Sequence, residues 1–168
     1  MITTTRASRA VRLALVPLLL GMAGCAGGQD VTPRSIREAR RLWDRAGIRD
    51  YDLEWTSTGL RSSHYRVSVR NGRVESVESI YQGKTYPVRT AEPKYYGIDG
   101  LFLTIEDELA QLQTATPFGH AKGTKAVLRF TPDPQLGYPR SYRRDVLGTP
   151  QVLAIDVTRF APRPAAGS

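Results

Sequence analysis

Two histidines, sixteen acids and a single thiol bound the chemistry open to this chain. His64 and His120 stand in separate segments, and neither has a partner at ligand spacing. There is no His-Glu-x-x-His pair, no Gly-x-Ser-x-Gly elbow and no Gly-rich loop ending in Lys-Ser/Thr, so no metal, nucleophile or phosphate site is announced by a motif, and no cofactor is called for. Asp133, Asp145 and Asp156 are the candidates for a carboxylate-dependent hydrolase or transferase, although each also reads as a turn or sheet-face residue. The strongest surface pattern is basic. His64, Arg66, Ser68 and Arg70 share one parity of an extended segment, and Arg73 lies just across Asn71-Gly72. Arg140, Tyr142 and Arg144 share a parity further on and extend that face. Such a face suits an acidic envelope protein or an anionic polymer. The same residues fit a solvated face of an antiparallel sheet, which commonly keeps one side wet.

The thiol, Cys25, points to a different kind of chemistry. As the sole cysteine it excludes intrachain disulfides, thiol catalysis elsewhere and Cys-containing zinc sites. It ends a segment with Arg6, Arg9 and Arg12 and no acid, followed by an apolar run from Leu13 to Ala23. A span needs roughly 20 apolar residues, so this run is too short to cross a bilayer and has the layout of a secretory signal. Met22-Ala23-Gly24-Cys25 resembles the bacterial lipobox. That resemblance implies cleavage after Gly24, a diacylglycerol thioether on Cys25 and further acylation, with palmitate-type chains, of the new amino terminus. Two or three chains, at ~0.8 kcal/mol per buried CH₂, anchor firmly where one holds only marginally. The expected address is the extracytoplasmic side of a membrane, the outer one in a two-membrane cell, since no Asp follows the cysteine directly.

These groups must be held by what lies downstream. The boundaries read as a leader over 1–24, a lipidated cysteine and flexible tether over 25–32, one domain over 33–160 and a disordered Pro/Ala tail over 161–168. With +8 formal charge overall, and about +5 once the three leader arginines are set aside, the domain is moderately basic without the clustering of a nucleic-acid binder. Thr32-Pro33 opens a helix whose stripe is Ile36, Ala39, Trp43 and Ala46, with Gly47 ending it. Tyr51, Leu53 and Trp55 alternate with polar residues, as do Tyr65, Val67 and Val69. Asn71-Gly72 is a type I′ hairpin signal. Beyond it the alternation of Val74, Val77 and Ile80 fails, which predicts a bulge near Ser76.

Residues 82–97, rich in Gly, Pro and Tyr, read as a long connection, functional or mobile at that length. A second helix carries Leu101, Phe102, Ile105, Leu109 and Leu112, with Asp99 as its expected cap. Strands are expected around Ala126–Phe130, Arg140–Val146 and Gln151–Phe160. The fold class is therefore α+β: an antiparallel sheet of about six strands with two helices on one face, the order suggesting tandem α-β-β-β units.

Four segments carry a family likeness. They are Trp43-x3-Gly47-x3-Tyr51, Val69-Arg70-Asn71-Gly72-Arg73-Val74, Ile98-Asp99-Gly100-Leu101-Phe102, and Leu136-Gly137-Tyr138-Pro139 with Asp145 six residues on. In this order the chain resembles a family of uncharacterised bacterial secreted lipoproteins, a domain-of-unknown-function family. It departs at Thr58-Gly59-Leu60, where many relatives have a Cys pair, at Phe130-Thr131, where Tyr-Asp is frequent, and at Leu147 to Gln151, where relatives carry an acidic run. The resemblance implies export and this fold; it brings no established activity. The expected function is a non-catalytic, membrane-anchored envelope binding module, with the carboxylate enzyme or a proteinaceous enzyme inhibitor as alternatives.

Overall fold

The computed structural model describes residues 28–59 and 61–164. The leader, Cys25 and residues 165–168 of the tail lie outside the described residues.

Helix α1 runs Pro33–Ala46, and its ends follow from local chemistry. Thr32 sits in extended backbone and its hydroxyl accepts from the Ser35 amide, while Ser35 returns a bond to the Thr32 amide, so two orphan donors of the first turn are satisfied. Gly47, in left-handed backbone at φ 61°, stops the helix. Ile36, Ala39 and Trp43 form its buried stripe. Helix α2 runs Ile98–Gln111 and buries Ile98, Gly100, Leu101, Phe102 and Ile105. Arg40 ties the helices together, its guanidinium over the Phe102 ring at 4.7 Å and its nitrogens 3.3 Å from Asp99 and 3.4 Å from Glu106.

The strands are β1 Gln29–Asp30, β2 Tyr51–Thr58, β3 Ser63–Arg70, β4 Arg73–Tyr81, β5 Lys84–Pro87, β6 Ala126–Pro132, β7 Pro139–Val146 and β8 Val152–Pro162. They form one sheet in the order β1-β6-β7-β8-β2-β3-β4-β5, antiparallel at every pairing. Two meanders, each preceded by a helix, meet where the last strand of the second pairs with the first strand of the first. In register, Tyr51, Leu53, Trp55, Val67, Val69, Phe130, Tyr142 and Ile155 point to the face that both helices cover, and all are buried. Trp43 meets Tyr51 and Phe160 edge-on at 5.6 and 5.8 Å.

Sequence and structure differ at several points. The sheet has eight strands where about six were expected. Gln29-Asp30, read as tether, pairs with Phe130 and Arg129, and Lys84–Pro87, read as connection, pairs back on β4. Both additions are too short and polar to show a periodicity of their own. Asp99 does not cap α2: Gly97 occupies that position with no side-chain bond, and Asp99 falls in the first turn. The bulge expected near Ser76 is present, since Val69 faces Val74 and Ser68 faces Ser76, leaving Glu75 as the extra residue.

Two glycines of the motif segments are fixed by crowding. A side chain on Gly100 would enter the backbone of Lys94 and Tyr95, so only glycine lets that turn lie on α2. Gly137, at φ 79°, sits against the Ala39 carbonyl and Leu42 and docks the β6–β7 turn on α1.

Candidate functional site

The predicted basic face is split by the pleat and neutralised by register. His64, Arg66 and Arg70 stand on the uncovered face of β3, but β2 sets Glu54 directly opposite Arg66 and Asp52 opposite Ser68. Glu54 lies 3.0 Å from Arg66 Nε, 3.7 Å from Arg159 and 3.7 Å from His64, and Arg66 also approaches Glu78 at 3.9 Å. Asp52 accepts from Arg70 at 2.8 Å, Arg163 at 2.7 Å and Ser68 at 3.1 Å. Burial works against the Asp52 charge, yet the bonds from Arg70, Arg163 and Ser68 together hold its carboxyl below the ordinary carboxylate range. Arg73 follows the hairpin turn and is exposed.

Tyr142 and Arg144 do not extend that face. They point to the helix side, where Tyr142 is 2% exposed and Arg144 lies 2.7 Å from both carboxylate oxygens of Glu108 on α2. Arg144 also stacks over Phe118 at 4.6 Å. Arg140 is skipped by the register irregularity at Pro132 and faces solvent. The three candidate acids are not brought together. Asp133 accepts from the Gln135 and Leu136 amides, Asp145 pairs with Arg143 at 2.8 Å, and Asp156 is exposed opposite Ser141. Among the described residues no group of three or more His, Cys, Asp or Glu is set to hold a metal ion, and no helix is long and apolar enough to cross a membrane.

A different place has the form of a ligand site. On the helix side of the sheet the inward row of β2 reads Tyr51, Leu53, Trp55, Ser57, and the small fourth residue leaves space beneath α2. The resulting half-open cleft has a volume of about 400 Å³. Trp55 and Tyr65 line it from the sheet, Tyr95 and Tyr96 from the 3₁₀ turn Pro93–Tyr96, Leu101 and Thr104 from α2, and Leu153 and Ile155 from β8. The Trp55 ring is 4.7 Å from Tyr65 and 6.0 Å from Tyr96, at interplanar angles of 48° and 42°. Tyr65 and Tyr96 stand at 83° to each other, 5.1 Å apart.

The Trp55 indole N–H donates to the Tyr96 carbonyl at 3.0 Å, which pins the turn to the sheet. Burial, followed by the neighbouring Tyr65, raises the Tyr96 phenol pKa above its ordinary value, so it stays protonated. Apolar and aromatic walls with a few hydroxyls are the ordinary make-up of a small-molecule pocket. Periodicity reads Trp55 and Tyr65 only as core. The signal for the cleft in sequence is the Tyr-rich stretch 82–97 together with Ser57 at an inward position.

The described residues thus define an α+β protein built on one antiparallel sheet with two helices. Within it, residues 35–117 match the model of a family of unknown function (DUF6174). The match contains the Trp43, Asn71-Gly72 and Ile98–Phe102 segments, whereas Leu136–Pro139 lies beyond it. No curated protein matches the chain.

Proposed function

We propose that the protein is a lipid-anchored binding module of the cell envelope, held through Cys25 on the extracytoplasmic side of a membrane, and that it takes a small ligand in the aromatic cleft. The observation that carries the binding site is the cleft itself: aromatic residues from β2, β3 and the 93–96 turn around about 400 Å³ of half-open space. The uncovered face of β3 is a weaker candidate, because its arginines are already matched by Asp52, Glu54 and Glu78. The anchor rests on the leader, the apolar run and the position of the sole cysteine.

The two indole N–H resonances of the purified chain test the site, since Trp55 lines the cleft and Trp43, on α1, is buried against Tyr51 and Phe160 of the sheet. Titration with fractionated small molecules from a cell-envelope extract is expected to shift Trp55 and leave Trp43 in place. Gly100→Ala, which pushes the 93–96 turn off α2, is expected to abolish the response. Fractions that bind without moving Trp55, or that bind Gly100→Ala equally well, overturn the cleft as the site. Labelling of Cys25→Ser by radioactive palmitate at the level of the parent chain overturns the anchor.

A further inference from the structure

We infer that the ligand of the aromatic cleft is an organic cation, an alkylated ammonium head on a small apolar body. The inference rests on the cleft being the binding site and adds the chemistry it selects.

Charge is the first argument. Without the three leader arginines the chain is still about +5, yet among the described residues that line the cleft Glu92 is the only charged one. An anion would find no Arg or Lys among those lining residues, and at the rim only Lys94, which is already tied to Glu92. A cation meets one carboxylate and several aromatic rings, and ring quadrupoles attract cations within about 6 Å of the centroid.

Ring geometry is the second. Tyr65 and Tyr96 are nearly perpendicular at 83°, with the Trp55 plane between them at 48° and 42°. Packed at such angles, these rings offer the cleft no pair of parallel walls of the kind that favours a flat ring.

The third argument is that the rim already makes this contact with a group of its own. The Lys94 ammonium lies 5.2 Å from the Tyr95 ring centroid and 3.1 Å from Glu92. Lys94 and Glu92 are 62% and 59% exposed, so their tie is weak and readily exchanged. A ligand cation competes with Lys94 for Glu92 and Tyr95. This gives the two charged residues opposite roles: Glu92 draws the ligand in, and Lys94 opposes it.

The test is titration of the purified chain with choline and with its neutral isostere 3,3-dimethylbutan-1-ol, read at the Trp55 indole resonance and by calorimetry. Choline is expected to bind at least about ten-fold more tightly than the isostere, on the scale of a partly desolvated cation–π contact. Glu92→Gln is expected to weaken choline roughly five-fold, Tyr95→Ala to weaken it further, and Lys94→Met to tighten it several-fold. These positions are at the rim, and intact dispersion of the remaining amide resonances shows that each variant folds. Equal binding of choline and the isostere overturns the cation while leaving the cleft as a site. Failure of choline to move Trp55 also overturns the cation, and the envelope-extract titration then judges the cleft independently. A Lys94→Met chain that binds choline less well overturns the competition between lysine and ligand.

Discussion

The hydroxyl of Tyr51 lies 2.9 Å from the Ile98 amide, and it is the group that caps α2. The first amides of a helix lack intrahelical partners, and Gly97 offers no side chain to satisfy them. A residue on β2 therefore does the work that a local Ser, Thr or Asp does elsewhere. Burial raises the Tyr51 phenol pKa far above its ordinary value, so it stays protonated. Tyr51→Phe keeps the packing against Trp43 and leaves the Ile98 amide unpaired in the interior. It is expected to lower stability by about 1–3 kcal/mol, checked by urea unfolding with an unchanged slope.

Asp52 makes the other prediction at this scale. Its folded pKa lies below the unfolded value of about 4, because the bonds from Arg70, Arg163 and Ser68 outweigh the burial that opposes its charge. Its stabilisation is complete above that unfolded value and is lost as pH falls through the lower folded one. Asp52→Asn should be less stable than the parent at pH 7 by about 1 kcal/mol, a figure kept small because the group is partly open to solvent. The two chains should converge in melting temperature as pH falls through the lowered folded value of Asp52.

Between elements, the contact with most at stake joins α2 to β7. Glu108 and Arg144 are 16% and 11% exposed and 2.7 Å apart, and the Tyr142 hydroxyl donates to Glu108 at 3.2 Å. Removing one charge strands the other in a poorly solvated place, whereas replacing both with apolar groups does not. Glu108→Gln is expected to cost about 3 kcal/mol, and Glu108→Met with Arg144→Met much less than the two single changes added. A double-mutant cycle by thermal unfolding measures this.

Elements with strong local signals were legible in the sequence: the Thr32-Pro33 start and Gly47 stop of α1, the Asn71-Gly72 hairpin, and the bulge beside Ser76. What depends on register between distant segments was not. Parity alone groups Arg144 and Tyr142 with Arg140, but the irregularity at Pro132 and the cover of α2 send them to the opposite side from Arg66. Likewise the alternation shows Asp52 and Glu54 but cannot say that they stand across from the β3 arginines. The cleft depends on a turn lying on a helix through Gly100, a tertiary contact that leaves only a glycine in the sequence.

At the scale of the whole molecule, the family match and the folding unit do not have the same limits. The match ends at residue 117, after α2 and before β6. The sheet does not end there: β8 pairs with β2 from Thr58 to Tyr51, so cutting after 117 exposes the edge of a central strand. The same cut removes Phe130, Tyr142 and Val146, which are among the largest fully buried side chains. It also takes Leu153 and Ile155 from the cleft and leaves Glu108 without Arg144.

Helix α2 rests in part on the second meander, through Glu108 with Tyr142 and Arg144 and through the cleft it shares with Leu153 and Ile155. A chain of residues 28–117 would carry both helices over half a sheet. Burying a large aromatic or aliphatic side chain contributes about 1.5–3 kcal/mol, and net domain stability is only about 5–15 kcal/mol, so losing several such groups exceeds the margin. Residues 28–117 alone are therefore expected to lack a cooperative unfolding transition and to show poorly dispersed amide resonances, while residues 28–164 unfold in a single step. Adding residues 118–164 as a separate chain is expected to restore dispersion, because β8 supplies the missing partner of β2 and the aromatic groups that close the core. A cooperative, well-dispersed 28–117 fragment would instead show that the segment matched by the family model folds by itself and that β6–β8 are an appended sheet.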